Sequence, residues 1–259
     1  LIDLEGKSAV VLGVGAGNIG LAIARRFRDL GADVVIAGRN GHAISRIGRE
    51  LGTPAVCCDI TDKEGLDALV SNAKDRYSKV DIAVNAVGMN LVAPFLEVTV
   101  EELNKVIGVQ FAGTFLFLQA MLGAMTGGGS IIQVSSVTSR ALLPDHAVYM
   151  ASKAAGDVLV RSAAFDFGHR GIRVNSLSPG ATLDAPMARG IMQDPLAREE
   201  VRKLIPLGRL GTIQDVADAA AWLACDACFI TGENIQVNGG IALQALSPPP
   251  ADPSQWGVM

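Results

Sequence analysis

Apolar residues along this chain fall into short, nearly unbroken runs, separated by longer stretches in which apolar and polar positions recur at helical spacing. The runs SAVVLGV, DVVIAG, PAVCCD, VDIAVNA, SIIQVSS, GIRVNSLSP and NIQVNG read as strands. Between them, NIGLAIARRFRDLG, the stretch from about Gly41 to Leu51, KEGLDALVSNAKDRY, VEELNKVIGVQFAGTFLFLQAML, AVYMASKAAGDVLVRSAAFDFG and IQDVADAAAWLAC read as helices. Strands without in–out alternation are covered on both faces. Strand–helix alternation with double-sided burial predicts a doubly wound α/β fold, a mostly seven-stranded parallel sheet flanked by helices. One domain is expected over residues 1–246. A polar, proline-containing excursion from about Ala181 to Arg209 reads as a lid, and residues 247–259 form a Pro-rich tail.

Composition agrees with a folded core, at 49% hydrophobic and 19% charged residues over 259 positions. The net charge of −4 argues against nucleic acid or anionic membrane as partners. No apolar run reaches the roughly 18 residues of a membrane span, and the start lacks the order of a signal peptide, so a cytoplasmic protein is expected. The C-x-x-C of Cys225 and Cys228 lacks a matching second pair, because Cys57 and Cys58 are adjacent. The cysteines therefore read as buried free thiols rather than a metal or redox centre.

Chemistry starts at GVGAGNIG, where Gly15, Gly17 and Gly20 form G-x-G-x-x-G between the first strand and the first helix. Bare main chain at a helix N-terminus suits a pyrophosphate, which predicts a dinucleotide site. The second strand ends in Gly38 and Arg39, without the carboxylate that holds the ribose hydroxyls of NAD(H). A guanidinium there favours NADP(H) over NAD(H); an ordinary solvated loop charge is the alternative. Further on, Tyr149 and Lys153 lie four apart on one helical face, and Ser136 follows a strand. An ammonium beside a phenol favours the phenolate, which would suit Tyr149 to proton exchange near neutral pH.

Taken together, the glycine loop, CCDITD, VNAVG, the Ser before YMASK, GIRVNSLSPG, PLGRLGTIQDVA and ITGENIQVNGG resemble the short-chain dehydrogenase/reductase family from about Gly6 to Gly240. The resemblance implies a Rossmann domain in which Tyr149 is the general acid/base, Ser136 positions the reacting oxygen, and Lys153 holds the nicotinamide ribose. Ser136 is preferred to Ser135 by its distance from the Tyr. The cofactor loop would run through Gly13, Gly15, Gly17, Asn18, Ile19 and Gly20. Asp59 and Ile60 would meet the adenine, Asn85 and Gly88 would support the cofactor along the fourth strand, and Pro179, Gly180 and Thr182 would wall the nicotinamide. The short Tyr–Lys interval points to carbonyl or alcohol chemistry rather than enoyl reduction. Homodimers or homotetramers through the helices at about Val100–Leu122 and Ala147–Gly168 are also implied, with the last strand used in the tetramer.

The departures are specific. Leu12 replaces the Thr that opens the family loop, which here is one residue longer, and Ala86 replaces an Asn. Gln110 stands where the proton-relay tetrad has Asn, and Asp184 where a cofactor-contacting Thr is commonest. His146 either lines the pocket or is a loop residue without a role. Met187 and Met192 fall in the lid. Arg140, Arg189, Arg198, Arg202, Lys203 and Arg209 could serve a phosphopantetheine-linked substrate, diluted by Glu199 and Glu200. The expected activity is hydride transfer between NADP(H) and a small ketone or secondary alcohol, with a 3-oxoacyl thioester among the options. The alternatives are an NAD(H)-preferring alcohol dehydrogenase of the same family and a cofactor-binding protein with little catalysis.

Overall fold

Alternate residues of the central strands enter opposite cores, as the period of a strand requires. The computed structural model describes residues 2–183, 185 and 194–243. In β1 (Ser8–Leu12), Ala9 and Val11 face one apolar layer while Val10 and Leu12 face the other. After α1 (Ile19–Asp29), β2 (Asp33–Gly38) repeats the pattern, with Val34 and Ile36 opposed to Val35 and Ala37. The chain continues through α2 (Gly41–Leu51), β3 (Ala55–Cys57), α3 (Lys63–Tyr77) and β4 (Ile82–Asn85). Next come α4 (Val100–Ile107), α5 (Gly113–Ala124), β5 (Gly129–Val134), α6 (Ala147–Phe167) and β6 (Ile172–Pro179). The last elements among the described residues are α7 (Pro195–Lys203), α8 (Ile213–Ala224) and β7 (Asn234–Val237). Seven parallel strands are ordered β3-β2-β1-β4-β5-β6-β7.

Ile23 and Phe27 of α1, Ile44 and Ile47 of α2, and Ala217 and Ala221 of α8 fill one core. Leu66 and Leu69 of α3, Phe117 and Met121 of α5, and Val160 of α6 fill the other. Strand order reverses between β1 and β4, and the carboxyl ends of these strands open the crevice where such folds place ligands. Close main-chain packing builds that crevice. Gly13 has φ +93°, and a Cβ there would lie 2.5 Å from the Ala86 carbonyl carbon and the Val87 nitrogen. At Gly20 a Cβ would meet the Gly13 carbonyl oxygen at 2.7 Å, so the start of α1 can sit directly on the loop.

The long helix expected after β4 is interrupted. A π-helical turn, Gly108–Ala112, separates α4 from α5 and carries Gln110 into the interior. Such a turn adds one residue per winding and redirects a side chain that a regular helix would place elsewhere. The whole helical run Val100–Ala124 is long and apolar enough to cross a bilayer by length and composition, with mean hydropathy 1.6, and half of that window is buried against the rest of the fold. The run is not continuously apolar, because Glu101, Glu102 and Lys105 interrupt its first turns.

The excursion read as a lid leaves and returns at one place. Leu183 N donates to the Gly211 carbonyl at 2.8 Å and Gly211 N to the Ala181 carbonyl at 3.0 Å. Arg209 then pairs with Asp215 of α8 at 2.7 Å. Asp184, Met187, Arg189 and Met192 lie outside the described residues, as does the 247–259 tail. Cys58, Cys225 and Cys228 are buried free thiols as read from the sequence; Cys57 is an exposed one, because β3 is a three-residue strand at the sheet edge and Cys57 is its last residue.

Replacing Gly13 with Ala forces a Cβ into the main chain after β4 and adds left-handed strain. A loss of about 3 kcal/mol in unfolding free energy is expected, measured by urea denaturation.

Candidate active site

Position along the chain decides how each candidate side chain reaches the crevice. Ser136 is the second residue past β5, where the chain leaves the sheet for a 3-10 turn (Val137–Ser139). Its hydroxyl accepts from Thr138 N at 3.2 Å and Thr138 Oγ1 at 2.9 Å, and its carbonyl accepts from Ser178 Oγ at 3.0 Å. Tyr149 and Lys153 lie one turn apart on the inward face of α6, with Lys153 Nζ 5.9 Å from the centre of the phenol ring. All three are buried, at 9%, 7% and 5% exposure for Ser136, Tyr149 and Lys153. The Ser136 hydroxyl lies close enough to the phenol to influence its proton affinity, whereas the buried Ser135 hydroxyl has no partner among the described residues.

Burial dominates the electrostatics. It pushes the Tyr149 phenol above the ordinary tyrosine range, with the Ser136 hydroxyl pulling the other way. It also pulls the Lys153 ammonium down to about 8, against the opposing field of Asp157. Lys153 does not lower the phenol of the chain by itself, contrary to the expectation from spacing. Its Nζ instead donates to the Val134 carbonyl at 2.9 Å, and loss of water outweighs the pull of the Ser136 hydroxyl on the phenol.

Gln110 is 4% exposed. Its Nε2 donates to the Met89 carbonyl at 3.0 Å and to Ser152 Oγ at 3.1 Å, while Oε1 has no partner among the described residues. Ser152 donates in turn to the Tyr149 carbonyl at 2.7 Å, so the π turn and the helix carrying Tyr149 are hydrogen-bonded together. Ser152 was missed in the sequence reading although it lies inside YMASK; only the partner it finds across the fold gives it a role. His146 also comes near. Its ring stands edge-on to Tyr149 with centroids 6.3 Å apart, its Nδ1 donates to the Pro144 carbonyl at 2.6 Å, and its Nε2 lies 3.5 Å from Asn90 Nδ2.

A scan of family models matches residues 13–242 to one described as enoyl-(acyl carrier protein) reductase. The 3beta-hydroxysteroid dehydrogenase 1 of Eggerthella lenta is 38% identical over 251 residues, covering 93% of this chain and 95% of that protein. The 3-oxoacyl-acyl-carrier-protein reductase of Rickettsia conorii is 34% identical, covering 94% and 100%. Among solved structures, a short-chain type dehydrogenase/reductase from Mycobacterium ulcerans superposes with TM-score 0.89 at 27% identity, covering 93% of this chain and 92% of that one. The chain belongs to the short-chain dehydrogenases/reductases. It is an NAD(P)-dependent oxidoreductase acting on alcohol or carbonyl substrates.

For a short-chain dehydrogenase/reductase the glycine loop must accept a dinucleotide, and its geometry fits one. Gly17 has φ +66° and nothing within 4 Å of where a Cβ would be, so the loop tip is open. No acidic residue occupies the first turn of α1. The amides of Ala16, Gly17, Ile19 and Gly20 have no acceptor among the described residues, which leaves donors and a helix dipole for a phosphate.

Asn18 solves the problem posed by Leu12. Its Oδ1 accepts from Gly15 N at 3.1 Å and Leu21 N at 2.9 Å, and its Nδ2 donates to the Gly13 carbonyl at 2.8 Å. The loop is thus tied from its far end, and the Asn18 side chain is consumed in doing so rather than left for a ligand.

Asn85 also spends its side chain inside the protein. It is fully buried, donating to Gln133 Oε1 at 2.8 Å and accepting from Val87 N at 3.0 Å. It therefore braces the loop that ends at the exposed Gly88, which a ligand can reach. Ile60 packs its side chain into the core beside Gly113, so only its main chain is available to a ligand. The Thr182 hydroxyl donates to the Gly180 carbonyl at 3.0 Å in a buried position, fixing the turn after Pro179 rather than facing the crevice.

At the end of β2, Arg39 is exposed and pairs with no carboxylate among the described residues, while its field lowers Asp59 after the larger effect of the Thr61 amide.

Lys153 gives the folded chain a pH signature. Folded, it releases its proton at about 8, below the unfolded lysine value of 10.5. Between those values the unfolded chain binds more protons, so Lys153 makes stability rise with pH across that window. Denaturation of wild type and Lys153→Met at pH 7.5 and pH 10 is expected to show a smaller gain in the variant.

Proposed function

We propose that this enzyme interconverts a ketone and a secondary alcohol with NADP(H), preferred over NAD(H), using Tyr149 as general acid/base. The carrying observation is the convergence of Ser136, Tyr149 and Lys153 at the carboxyl edge of the sheet, beside a glycine loop with free amides. The bound nicotinamide supplies or takes up the hydride. Tyr149 delivers a proton to the reacting oxygen, and Ser136, close to the phenol, holds that oxygen by a hydrogen bond. Lys153 holds the nicotinamide ribose. Gly13, Gly15, Gly17, Ile19 and Gly20 form the phosphate cradle, with Asp59, Gly88, Pro179 and Gly180 around it. Gln110 braces the helix through Ser152 and keeps an acceptor, Oε1, for a water.

A phenol above its ordinary range stays protonated at neutral pH, which supports reduction there and places oxidation in alkaline solution. Of the basic residues near the lid, Arg202, Lys203 and Arg209 are already paired with Glu199, Glu200 and Asp215. That pairing argues for a small carbonyl over a carrier-bound acyl group. The named relatives include a hydroxysteroid and a 3-oxoacyl enzyme. The free Arg39 and the absence of an acid at the end of β2 support the NADP(H) preference. Assembly of copies forms part of the proposal, supported by the exposed stripe Leu103, Ile107, Phe111 and Phe115 and by Phe165 of α6.

Tyr149→Phe is expected to lower kcat about 10³-fold while leaving NADPH affinity within twofold, read by absorbance at the nicotinamide band and by fluorescence titration. Unchanged turnover removes Tyr149 from the chemistry, and NADPH bound but never consumed across a panel of ketones marks a binding protein. Arg39→Ala is expected to raise the NADPH KM about 10- to 100-fold, as loss of a charged hydrogen bond to phosphate would, with the NADH KM unchanged. Equal effects on both cofactors remove the assigned preference.

A further inference from the structure

Lys153 holds its charge in a place that disfavours it: it is 5% exposed and its one hydrogen bond goes to a neutral carbonyl. An ammonium in that position needs a counter-ion close by, and the chain supplies one residue that the proposed chemistry does not use. Asp157 lies one helical turn beyond Lys153 on α6, a spacing that stacks the two side chains on one face. The two side chains form no ion pair within 4.0 Å, so the carboxylate acts on the ammonium through its field and not through a direct bond.

The carboxylate is held in place from the neighbouring strand. Asn234 of β7 donates from Nδ2 to Asp157 Oδ2 at 2.5 Å. Asn234 Oδ1 is itself occupied by Gln236 Nε2 at 2.8 Å, Gln236 Oε1 by Asn238 Nδ2 at 2.9 Å, and Asn238 Oδ1 by Gly240 N at 2.9 Å. This row of amides fixes which end of Asn234 faces Asp157. The other carboxylate oxygen, Oδ1, is buried with no donor among the described residues. A structural acid would be expected to have both oxygens satisfied. One bound and one open oxygen suits a group that is held by its back and acts through its front.

No other described charge competes for the task. Further along α6, Arg161 and Asp166 are more than one turn away, and β5 and β7 carry no charged residue. Arg173 of β6 spends its guanidinium on the Leu223 and Cys225 carbonyls. Arg140, after the 3-10 turn, and Lys105 of α4 are exposed. Tyr149 faces Lys153 from its own helix as a neutral phenol at neutral pH. The field that favours the charged lysine comes from Asp157.

We propose that Asp157, locked by Asn234, is a positioning residue whose negative charge keeps Lys153 cationic in the working pH range. The inference rests on the role proposed above for Lys153. In the reductive direction both Tyr149 and Lys153 must carry their protons, and Lys153 is the first to lose its own as pH rises. The alkaline limb of kcat/KM therefore belongs to Lys153, and removing the carboxylate moves it to lower pH.

The test compares wild type, Asp157→Asn and Asp157→Glu in ketone reduction with NADPH from pH 6 to 10. NADPH affinity is followed by nicotinamide fluorescence over the same range, and thermal melts check folding. Asp157→Asn retains an oxygen for Asn234 and loses only the charge, so the limb and the affinity midpoint are expected to fall by about one pH unit, with Asp157→Glu restoring them. A folded Asp157→Asn with both midpoints unmoved overturns the proposal. If Asp157→Asn fails to fold, Asp157→Ser removes the same charge. Unfolding of both neutral variants while Asp157→Glu folds shows that the carboxylate serves the fold, and overturns the proposal as well. A wild type that binds NADPH but reduces no ketone refutes the proposed reaction, while the affinity arm still decides the role of Asp157.

Discussion

The arrangement around the crevice depends on an ammonium group that has left water and found a main-chain carbonyl. Desolvating Lys153 is costly, and the bond from Nζ to the Val134 carbonyl at the end of β5 offsets part of that cost only while α6 stays seated against the sheet. The same seating puts Tyr149 near Ser136, which follows Val134 by two residues, and joins Ser152 to the π turn through Gln110. Strand, helix and turn thus share one polar contact zone within an otherwise apolar layer. A buried polar network of this kind is rigid when its members are satisfied. Gln110 Oε1 and the Ser135 hydroxyl are buried members that find no partner among the described residues.

At the other end of the crevice the controlling constraint is steric. Gly13, Ala86 and Gly20 approach so closely that the loop has no room for a side chain where β1, β4 and α1 meet. Asn18 holds the extra residue of this loop with three hydrogen bonds, two accepted and one donated, and also caps α1. The amides left over are those at the open tip. Loop length and capping residue are therefore linked: an added residue is accommodated because a side chain able both to donate and to accept sits at the helix start.

Much of this was legible in the sequence. Uninterrupted apolar runs exposed the buried parallel strands, because period-two burial on both faces leaves no polar positions in the run. Glycines at fixed offsets marked the crevice, and the four-residue interval of Tyr149 and Lys153 survived as one helical face. The π turn was not legible, since Gly108–Ala112 has the same composition as the helix around it and its extra residue is a matter of hydrogen-bond register. Nor were the inward turns of Asn85 and Thr182, whose partners Gln133 and Gly180 are decided by tertiary contact. The sign of the Tyr149 perturbation was missed for a related reason. Spacing reveals a neighbouring charge but says nothing about how much water both groups lose.

The clasp between Ala181, Leu183 and Gly211 has an evolutionary corollary. Because the excursion departs and rejoins at a single hydrogen-bonded point, its length and composition can drift at little cost to the sheet, the closure entropy of a loop growing only slowly with its size. Such a segment can be exchanged as a unit without rebuilding the strands on either side of it, which leaves its sequence free to change independently of the sheet.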